Sequence, residues 1–282
     1  MSKDKNNNIV AFQGVFGAHS DMVCRKAYPY MDTLPCRTFE DVCLAVEEGR
    51  AQIGVIPIEN SYAGRVAEVH NILAKTKLHI VGEHFQRIEH HLMAPKGAKI
   101  QDIKLIRSHP QALMQCNNTI RDLKIDTKTA ENTAIAAKEV SEINDKTQGA
   151  IASELAASIY GLDILKRNME DAKTNQTIFV SMAKEPLDTE PSEKVVTTLL
   201  FTVRNIPGGL YKSLGGFATN NVNMLKLESY IPGGKSDMAD FFISFQGHPK
   251  QRNVQLAIEE LGFFTKKVKL LGVYPADEAR FG

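Results

Sequence analysis

Three polar residues follow the apolar run at residues 53–58, and they are the first candidates for chemistry: Glu59, Asn60 and Ser61. Ligands of α/β sheets bind beyond the carboxyl ends of strands, so a ligand is expected at this point. Glu59 is either an acid–base group or a carboxylate that holds the loop by accepting backbone hydrogen bonds. Ser61 is either a ligand donor or a helix N-cap. Spacing alone leaves these alternatives open.

A second polar cluster has the spacing of a helix entry. Pro110 suits the first turn of a helix, Gln111 and Gln115 then lie one turn apart on a common face, and Ser108 lies at the mouth of that face. Two amides and a hydroxyl form a neutral hydrogen-bonding wall that suits a hydroxyl or a carboxylate. His109 precedes the proline, where a structural role is favoured over a catalytic one. The sequence has no nucleophile elbow, which argues against a hydrolase.

Two further segments carry weaker signals. Residues 13–20 (QGVFGAHS) form a glycine-containing turn whose backbone amides could face an anion, although a tight turn without a ligand fits equally well. The turn matches neither the dinucleotide-binding fingerprint nor a P-loop. Thr177 begins a short apolar run, and its simplest interpretation is a β-branched strand residue.

Length and composition limit the classes of protein. The chain has 282 residues, a formal net charge of +1 and 43% hydrophobic residues, which indicates a soluble protein of about two domains. It has no basic surplus for nucleic acid, no signal peptide and no apolar run long enough for a membrane span, so a cytoplasmic location is expected. The four cysteines form no CxxC pair, which predicts buried reduced thiols and no metal site.

The order of elements predicts two domains. Short apolar runs alternate with helical patterns over residues 1–183, which indicates an α/β domain with a largely parallel, covered sheet. One continuous helix is predicted over residues 111–123. Residues 184–194 are charged and contain prolines, as expected of a linker. Residues 195–282 show the order β-α-β-β-α-β of a ferredoxin-like unit.

Together these segments resemble the bacterial prephenate dehydratase family over nearly the whole chain. The most specific motifs are Pro57–Ser61, Ser108–Leu113 and Ala150–Ser153 with Tyr160-Gly161-Leu162 after it. The C-terminal unit resembles an ACT regulatory domain, with Pro207–Tyr211 similar to the family's GALF segment and Glu228-Ser229 similar to the start of its ESRP segment. The resemblance implies a type-2 periplasmic-binding-protein-like catalytic domain of two α/β subdomains, followed by a ferredoxin-like ACT domain.

The resemblance also implies the reaction and its residues. The family converts prephenate to phenylpyruvate in L-phenylalanine biosynthesis, with no metal and no cofactor. It implies that Thr177 donates to the leaving hydroxyl. The catalytic residues implied in this way are Thr177, Ser108, Gln115, Asn60, Ser61 and Glu59. The implied substrate-binding residues are Gln13, Gly17, Ala18, Ser20, Gln111 and Thr133.

Regulation is implied for the C-terminal unit. In the family, L-phenylalanine binds between ACT domains of adjacent subunits and inhibits, so a homodimer or homotetramer is expected. The positions that match this effector site are Asn205, Pro207, Gly208, Leu210, Asn223, Leu225, Glu228 and Ser229.

Three positions depart from the family pattern: Ile178 stands where the family has arginine, Tyr230 where ESRP has arginine, and Gly209 where GALF has alanine. For Ile178 three explanations compete: another cation such as Arg65 or Arg25, helix N-termini, or reduced activity. One alternative is an arogenate dehydratase, which this sequence does not discriminate from a prephenate dehydratase. The other, motivated by Ile178, is a catalytically impaired phenylalanine sensor. A solute-binding protein is disfavoured by the C-terminal unit.

Overall fold

The α/β class predicted from the sequence is confirmed. A computed structural model describes residues 8–192, 194–230 and 239–281, which form three sheets with helices between the strands. The description leaves out residues 1–7, 193, 231–238 and 282, so each of the predicted segments 1–183, 184–194 and 195–282 is described only in part. In the described part of the chain, no helix is both long and apolar enough to cross a bilayer.

The first sheet has the strand order β2-β1-β3-β11-β5, with β4 paired to β3. β1 and β2 run parallel, and the central residues of β1 are fully buried. The strands of this sheet are β1 (Ile9–Gln13), β2 (Asp32–Cys36), β3 (Ile53–Asn60), β4 (Gly64–Arg65), β5 (His79–Arg87) and β11 (Gln176–Ala183). The helices between them are α1 (His19–Ala27), α2 (Phe39–Glu47) and α3 (Ala67–Lys75).

The second sheet has the order β10-β6-β9-β7-β8 and is mixed. β7 pairs in parallel with β8 and β9, whereas β6 is antiparallel to β9 and β10, so the expectation of a largely parallel sheet holds only in part. Its strands are β6 (His91–Ala94), β7 (Leu105–Ser108), β8 (Asp126–Thr129), β9 (Gln148–Ala152) and β10 (Asp163–Lys166). Its helices are α4 (Pro110–Gln115), α5 (Asn117–Leu123), α6 (Thr133–Ile143) and α7 (Glu154–Tyr160).

The single helix predicted over residues 111–123 is wrong, because α4 ends at Gln115 and α5 begins at Asn117. The Asp171 carboxylate accepts hydrogen bonds from the backbone N–H groups of Asn118 and Thr119. This satisfies two amides at the start of α5, so a new helix begins there. The capping carboxylate lies about fifty residues away in the chain, and the local pattern could not reveal it.

The third sheet confirms the predicted β-α-β-β-α-β order, with its strands arranged as β13-β14-β12-β15. Its strands are β12 (Val195–Val203), β13 (Met224–Tyr230), β14 (Asp240–Gln246) and β15 (Thr265–Pro275), and its helices are α8 (Gly209–Thr219) and α9 (Arg252–Phe264). The helices pack on an aromatic core that includes Phe201, Phe217, Phe241 and Phe245. Apolar burial of this kind is what stabilises a small sheet–helix layer.

The chain divides into two compact units. One contains the described residues up to Val42, with Val55–Arg65 and Gln86–Phe179. The other contains Cys43–Gly54, Val66–Phe85 and the described residues from Val180 onward. The predicted division into domains 1–183 and 195–282, with 184–194 as linker, stays a prediction.

Within the second unit, side chains of the C-terminal strand and tail bind the segment Val66–Phe85. The Lys269 ammonium donates to three carbonyl groups at the C-terminal end of α3. The Arg280 guanidinium makes a bidentate ion pair with Glu83, whose side chain is 1% exposed. A Cβ at Gly272 would lie 2.0 Å from the carbonyl oxygen of Ile80, so β15 passes that backbone closely.

Candidate active site

Asn60, the last residue of β3, has an amide whose orientation is fixed by the backbone. Its Oδ1 accepts hydrogen bonds from the N–H groups of Tyr62 (3.0 Å) and Ala63 (2.9 Å). Its Nδ2 therefore faces the other way, and it donates to Asn175 Oδ1 (2.8 Å) and Thr177 Oγ1 (2.9 Å). Since Thr177 Oγ1 is the acceptor in this bond, the hydroxyl hydrogen of Thr177 is left for another partner.

The hydrogen bonding continues from Asn175 to α4. Asn175 Nδ2 donates to Oε1 of Gln115 (3.0 Å), and His90 Nε2 lies 2.9 Å from the same oxygen. We call this connected set, Thr177, Asn60, Asn175, Gln115 and His90, the amide chain. Burial lowers the pKa of His90, so the amide chain carries no charge near neutral pH.

Ser61 joins the loop after β3 to the segment before β11. Its N–H donates to the carbonyl of Gln176 (2.9 Å), and its Oγ accepts from the N–H of Gln176 (3.0 Å) and donates to the carbonyl of Thr174 (3.2 Å). Ser61 does not cap a helix, because α3 begins at Ala67. These bonds hold Asn60 and Thr177 at a fixed separation.

The other sequence-predicted residues lie outside the amide chain. Ser108 is fully buried, and its hydroxyl donates to the carbonyl of Ile151 (2.6 Å). The N–H of Gly17 donates to Asp21 Oδ2 (2.9 Å), and the N–H of Ala18 to the carbonyl of Val15 (3.1 Å). Substrate contacts by these groups stay predictions.

The remaining predicted residues have mostly local contacts. Gln13 donates to the carbonyl of Arg37 (3.4 Å), and Glu59 pairs with Arg65 across the β3–β4 ladder. Ser20 is nearly buried in α1, and Gln111 and Thr133 are half-buried in the first turns of α4 and α6. His109 is the N-cap of α4, since its Nδ1 accepts from the N–H of Gln111 (3.2 Å), which confirms the structural interpretation of that histidine.

Three residues of the site region were missed by sequence reasoning: His19, His90 and Asn175. The rings of His19 and His90 pack edge to face, 5.5 Å between centroids. Within the described residues neither ring nitrogen of His19 has a hydrogen-bond partner, and burial, together with the nearby His90 and His91, lowers its pKa to about 3. The available signal was the pair His90-His91 beside an apolar run, together with Asn175 two residues before Thr177.

A cavity of about 210 Å³ adjoins the amide chain. It is lined by Tyr62, Met114, Gln115, Glu170, Asp171, Ala172 and Asn175. The two carboxylates have structural partners, because Glu170 Oε2 accepts from the backbone N–H of His90 (2.9 Å) and Asp171 caps α5. The side-chain amides of Gln115 and Asn175 are thus the polar groups by which the amide chain could contact a ligand in this cavity.

The four cysteines are buried, as predicted, and burial raises the pKa of the Cys24 and Cys116 thiols. Among the described residues, no group of three or more His, Cys, Asp and Glu side chains is arranged to hold a metal ion.

The predicted effector positions form two groups in the third sheet. β12 and β13 both pair antiparallel with β14, so they run in the same direction, and Thr202 and Tyr230 both lie opposite Asp240. The exposed loop containing Asn205, Pro207 and Gly208 therefore lies at the same sheet edge as the end of β13.

Asn223 lies at the other end of β13 and contributes to a separate cavity of about 570 Å³. Near the edge with Tyr230, the Glu228 carboxylate forms an ion pair with Lys226 (2.8 Å), and its Oε2 lies 2.9 Å from Nε2 of His70. Gly209 has a local explanation, because a Cβ there would lie 2.7 Å from the carbonyl oxygen of Arg204.

The fold and the amide chain define a class: an α/β protein whose site presents neutral hydrogen-bond donors on a preorganised scaffold. The family model for prephenate dehydratase matches residues 10–187. The chain belongs to the prephenate dehydratase family.

Relatives and solved structures extend the likeness to almost the whole chain. This chain is 45% identical to a bifunctional N-acyl-homoserine lactone acylase/prephenate dehydratase of Komagataeibacter europaeus, and the match covers 96% of this chain and 97% of that protein. It is 37% identical to an arogenate dehydratase/prephenate dehydratase of Arabidopsis thaliana, covering 96% and 73%.

Two solved structures resemble the present one. The structure of GqqA, described as a novel type of quorum quenching acylase, has a TM-score of 0.91 at 45% identity, covering 96% of this chain and 99% of that one. Prephenate dehydratase of Arthrobacter aurescens, solved with L-Phe, has a TM-score of 0.87 at 25% identity, covering 96% and 91%.

Proposed function

We propose that this chain is a prephenate dehydratase, with the amide chain as its catalytic site. The observation that carries the proposal is the hydrogen bond from Asn60 Nδ2 to Thr177 Oγ1. It leaves the hydroxyl hydrogen of Thr177 free to donate, and it makes that hydrogen more acidic by withdrawing charge from the oxygen. Family membership supplies the substrate class.

The reaction needs positioning and a donor, and no electron sink. The C–C bond to the ring carboxylate breaks, its electron pair becomes a ring double bond, and the C–O bond to the ring hydroxyl breaks as CO₂ leaves. Thr177 donates a hydrogen bond to the developing hydroxide. The hydroxide takes up a proton and leaves as water, and solvent replaces that proton. Donors aimed at developing charge in a preorganised site supply most of such rate enhancement. Gln115 holds a polar group of the substrate in place, and Asn60 orients the Thr177 hydroxyl.

The two substrate carboxylates need polar or cationic partners in the site. Ile178, which lies next to Thr177 in β11 where the family has arginine, supplies no charge. Of the cations named from the sequence, Arg25 is bonded to the fully buried Asp21 carboxylate (2.9 Å). We therefore propose backbone amides and the amide chain as the main carboxylate partners. Replacing Ile178 with Arg tests this: a large gain in rate would contradict the proposal and indicate that a cation is missing.

Turnover of prephenate to phenylpyruvate by purified, folded protein is the direct test. Thr177→Val should lower kcat roughly 100- to 1000-fold, because it removes the donor at developing charge. Thr177→Ser, which keeps the hydroxyl, should recover a large part of the rate. No turnover by the folded wild-type protein, or equal rates for Thr177→Val and wild type, would refute the proposal.

Arogenate is the alternative substrate, since the Arabidopsis relative is described as acting on both. Arogenate carries an amine in place of the keto group of prephenate. That amine would need a carboxylate partner in the cavity. In the described part of the cavity lining, the Glu170 carboxylate already accepts a hydrogen bond from the backbone N–H of His90. We propose prephenate as the better substrate. Competition between the two substrates in one assay tests this, and a higher kcat/KM for arogenate would reverse it.

A second candidate activity, N-acyl-homoserine lactone acylase, is favoured by the 45% identity to a protein described as having it. Amide hydrolysis by a serine nucleophile needs an accessible hydroxyl beside a base. Ser181 Oγ lies 2.7 Å from His84 Nε2, but Ser181 is fully buried. Release of homoserine lactone from an acylated lactone, measured on the same preparation, decides whether this activity is present.

We propose that L-phenylalanine inhibits through the C-terminal unit and that the chain is a homodimer or homotetramer joined by ACT domains. The proposal is supported by the Arthrobacter enzyme solved with L-Phe and by the shared sheet edge of Gly208 and Glu228. Glu228→Gln should weaken inhibition, whereas Glu259→Gln on the exposed face of α9 should leave it unchanged. Inhibition of equal strength in both variants would contradict the assignment of Glu228.

A further inference from the structure

The side-chain oxygen of Gln115 receives two hydrogen bonds, and this fixes the state of a neighbouring histidine. Asn175 Nδ2 lies 3.0 Å from Gln115 Oε1, and His90 Nε2 lies 2.9 Å from it. The direction of the first bond is not arbitrary, because Asn175 Oδ1 accepts from Asn60, whose own amide is oriented by two backbone N–H groups. A carbonyl oxygen only accepts, so the hydrogen of His90 is on Nε2.

The other edge of the His90 ring agrees with this tautomer. Its Nδ1 is buried and, within the described residues, has no hydrogen-bond partner. The rings of His90 and His19 pack edge to face, and the His19 imidazole, whose nitrogens are shielded from solvent, also stays neutral. A neutral imidazole has one donor nitrogen, and Gln115 Oε1 lies within hydrogen-bond distance of Nε2 of this ring.

The main chain holds the ring in place. The backbone N–H of His90 donates to Glu170 Oε2 (2.9 Å), and its carbonyl accepts from the N–H of Met169 (2.7 Å). These bonds come from the segment that also lines the cavity. The imidazole is thus a fixed donor and not a mobile acid.

We infer that His90 is a positioning residue that fixes the amide of Gln115 with its NH₂ group directed to the substrate. This inference rests on the proposed function of the amide chain. With Oε1 occupied by two donors, the NH₂ group is what Gln115 has left to offer a carboxylate or hydroxyl. Without His90 the amide keeps only the bond from Asn175, so it turns more readily by half a rotation, and its oxygen would then meet the substrate carboxylate with repulsion.

Three variants test the role in catalysis. His90→Leu removes the donor and should lower kcat/KM roughly 10-fold, which is the effect of one neutral hydrogen bond of about 1.4 kcal/mol. His90→Gln, which places an amide NH₂ near the same position, should recover most of the loss. His91→Leu is the matched control, since His91 is equally buried but its Nδ1 accepts from the N–H of Asn168 outside the amide chain (3.2 Å).

A double-variant cycle separates positioning from a structural effect. In a Gln115→Met background, His90→Leu should cause no further loss of kcat/KM, because the amide that it orients is gone. Equal losses in both backgrounds would overturn the inference. Wild-type turnover is measured first, so absence of the proposed activity is distinguished from failure of this inference.

The tautomer gives a readout that does not depend on activity. In protein labelled with ¹⁵N-histidine, the His90 signals, assigned by comparison with His90→Gln, should show a protonated Nε2 and a bare Nδ1 at neutral pH. A protonated Nδ1 would overturn the inference even if every His90 variant proved unstable.

Discussion

His19 provides a prediction whose size follows from the structure. Both ring nitrogens are shielded from solvent, and burial together with His90 and His91 lowers its pKa to about 3. The unfolded chain takes up a proton below pH 6.5 or so, whereas the folded chain does not until the pH falls near 3. The free energy of unfolding therefore falls as pH falls through this window. Between about pH 8 and about pH 5, the loss due to His19 alone is about 2 kcal/mol.

The perturbation is His19→Phe, which keeps a ring against His90 and removes the titrating group. Any packing change in this variant is the same at both pH values, so it cancels when the pH dependence of wild type and variant is compared. Urea unfolding followed by far-UV circular dichroism suits a chain that has no tryptophan. Wild type should lose about 2 kcal/mol more than His19→Phe between about pH 8 and about pH 5. Equal losses would refute the reasoning and place the titration elsewhere.

Two further predictions concern the second compact unit. Arg280→Met leaves the Glu83 carboxylate buried without its partner, so the free energy of unfolding in urea should fall by about 3–5 kcal/mol. The double variant Glu83→Leu/Arg280→Met should recover much of this loss. A single variant as stable as wild type would show that the pair contributes nothing. Gly272→Ala places a Cβ against the carbonyl oxygen of Ile80 and should lower the free energy of unfolding by about 1–3 kcal/mol or more. Gly262→Ala, in open space on α9, should raise the free energy of unfolding by about 0.5–1 kcal/mol. Thermal or urea unfolding of the two variants side by side checks this, and a stable Gly272→Ala would mean that β15 moves away from Ile80 easily.

How far the sequence predicts the fold depends on where the deciding contacts lie. The strands of the β-α-β-β-α-β unit were found from the sequence, because runs such as β12 and β14 are rich in apolar residues and bounded by polar ones. The break at Cys116 was missed because Asp171, distant in the chain, caps the second helix. Local patterns carry periodicity and turn chemistry, but they do not carry caps supplied by tertiary contacts.

The site divides in the same way. Asn60, Gln115 and Thr177 were found because they follow or begin predicted strands and helices, and the structure joins them through hydrogen bonds. His90 and Asn175 were missed because their roles depend on partners more than twenty residues away. The direction of each hydrogen bond is a property of the assembled site, and residue types alone do not determine it.

The three carbonyl groups bound by Lys269 have a consequence for how such proteins exchange parts during evolution. The ammonium of β15 completes the C-terminal end of a helix that belongs to the first half of the chain. A foreign C-terminal unit joined after residue 194 would leave those carbonyls, the Glu83 carboxylate and the backbone at Ile80 without their partners. Recombination at this boundary therefore keeps these contacts only when the segment Val66–Phe85 is inherited together with the incoming unit, so the module is discontinuous in the gene although it is one compact unit in space.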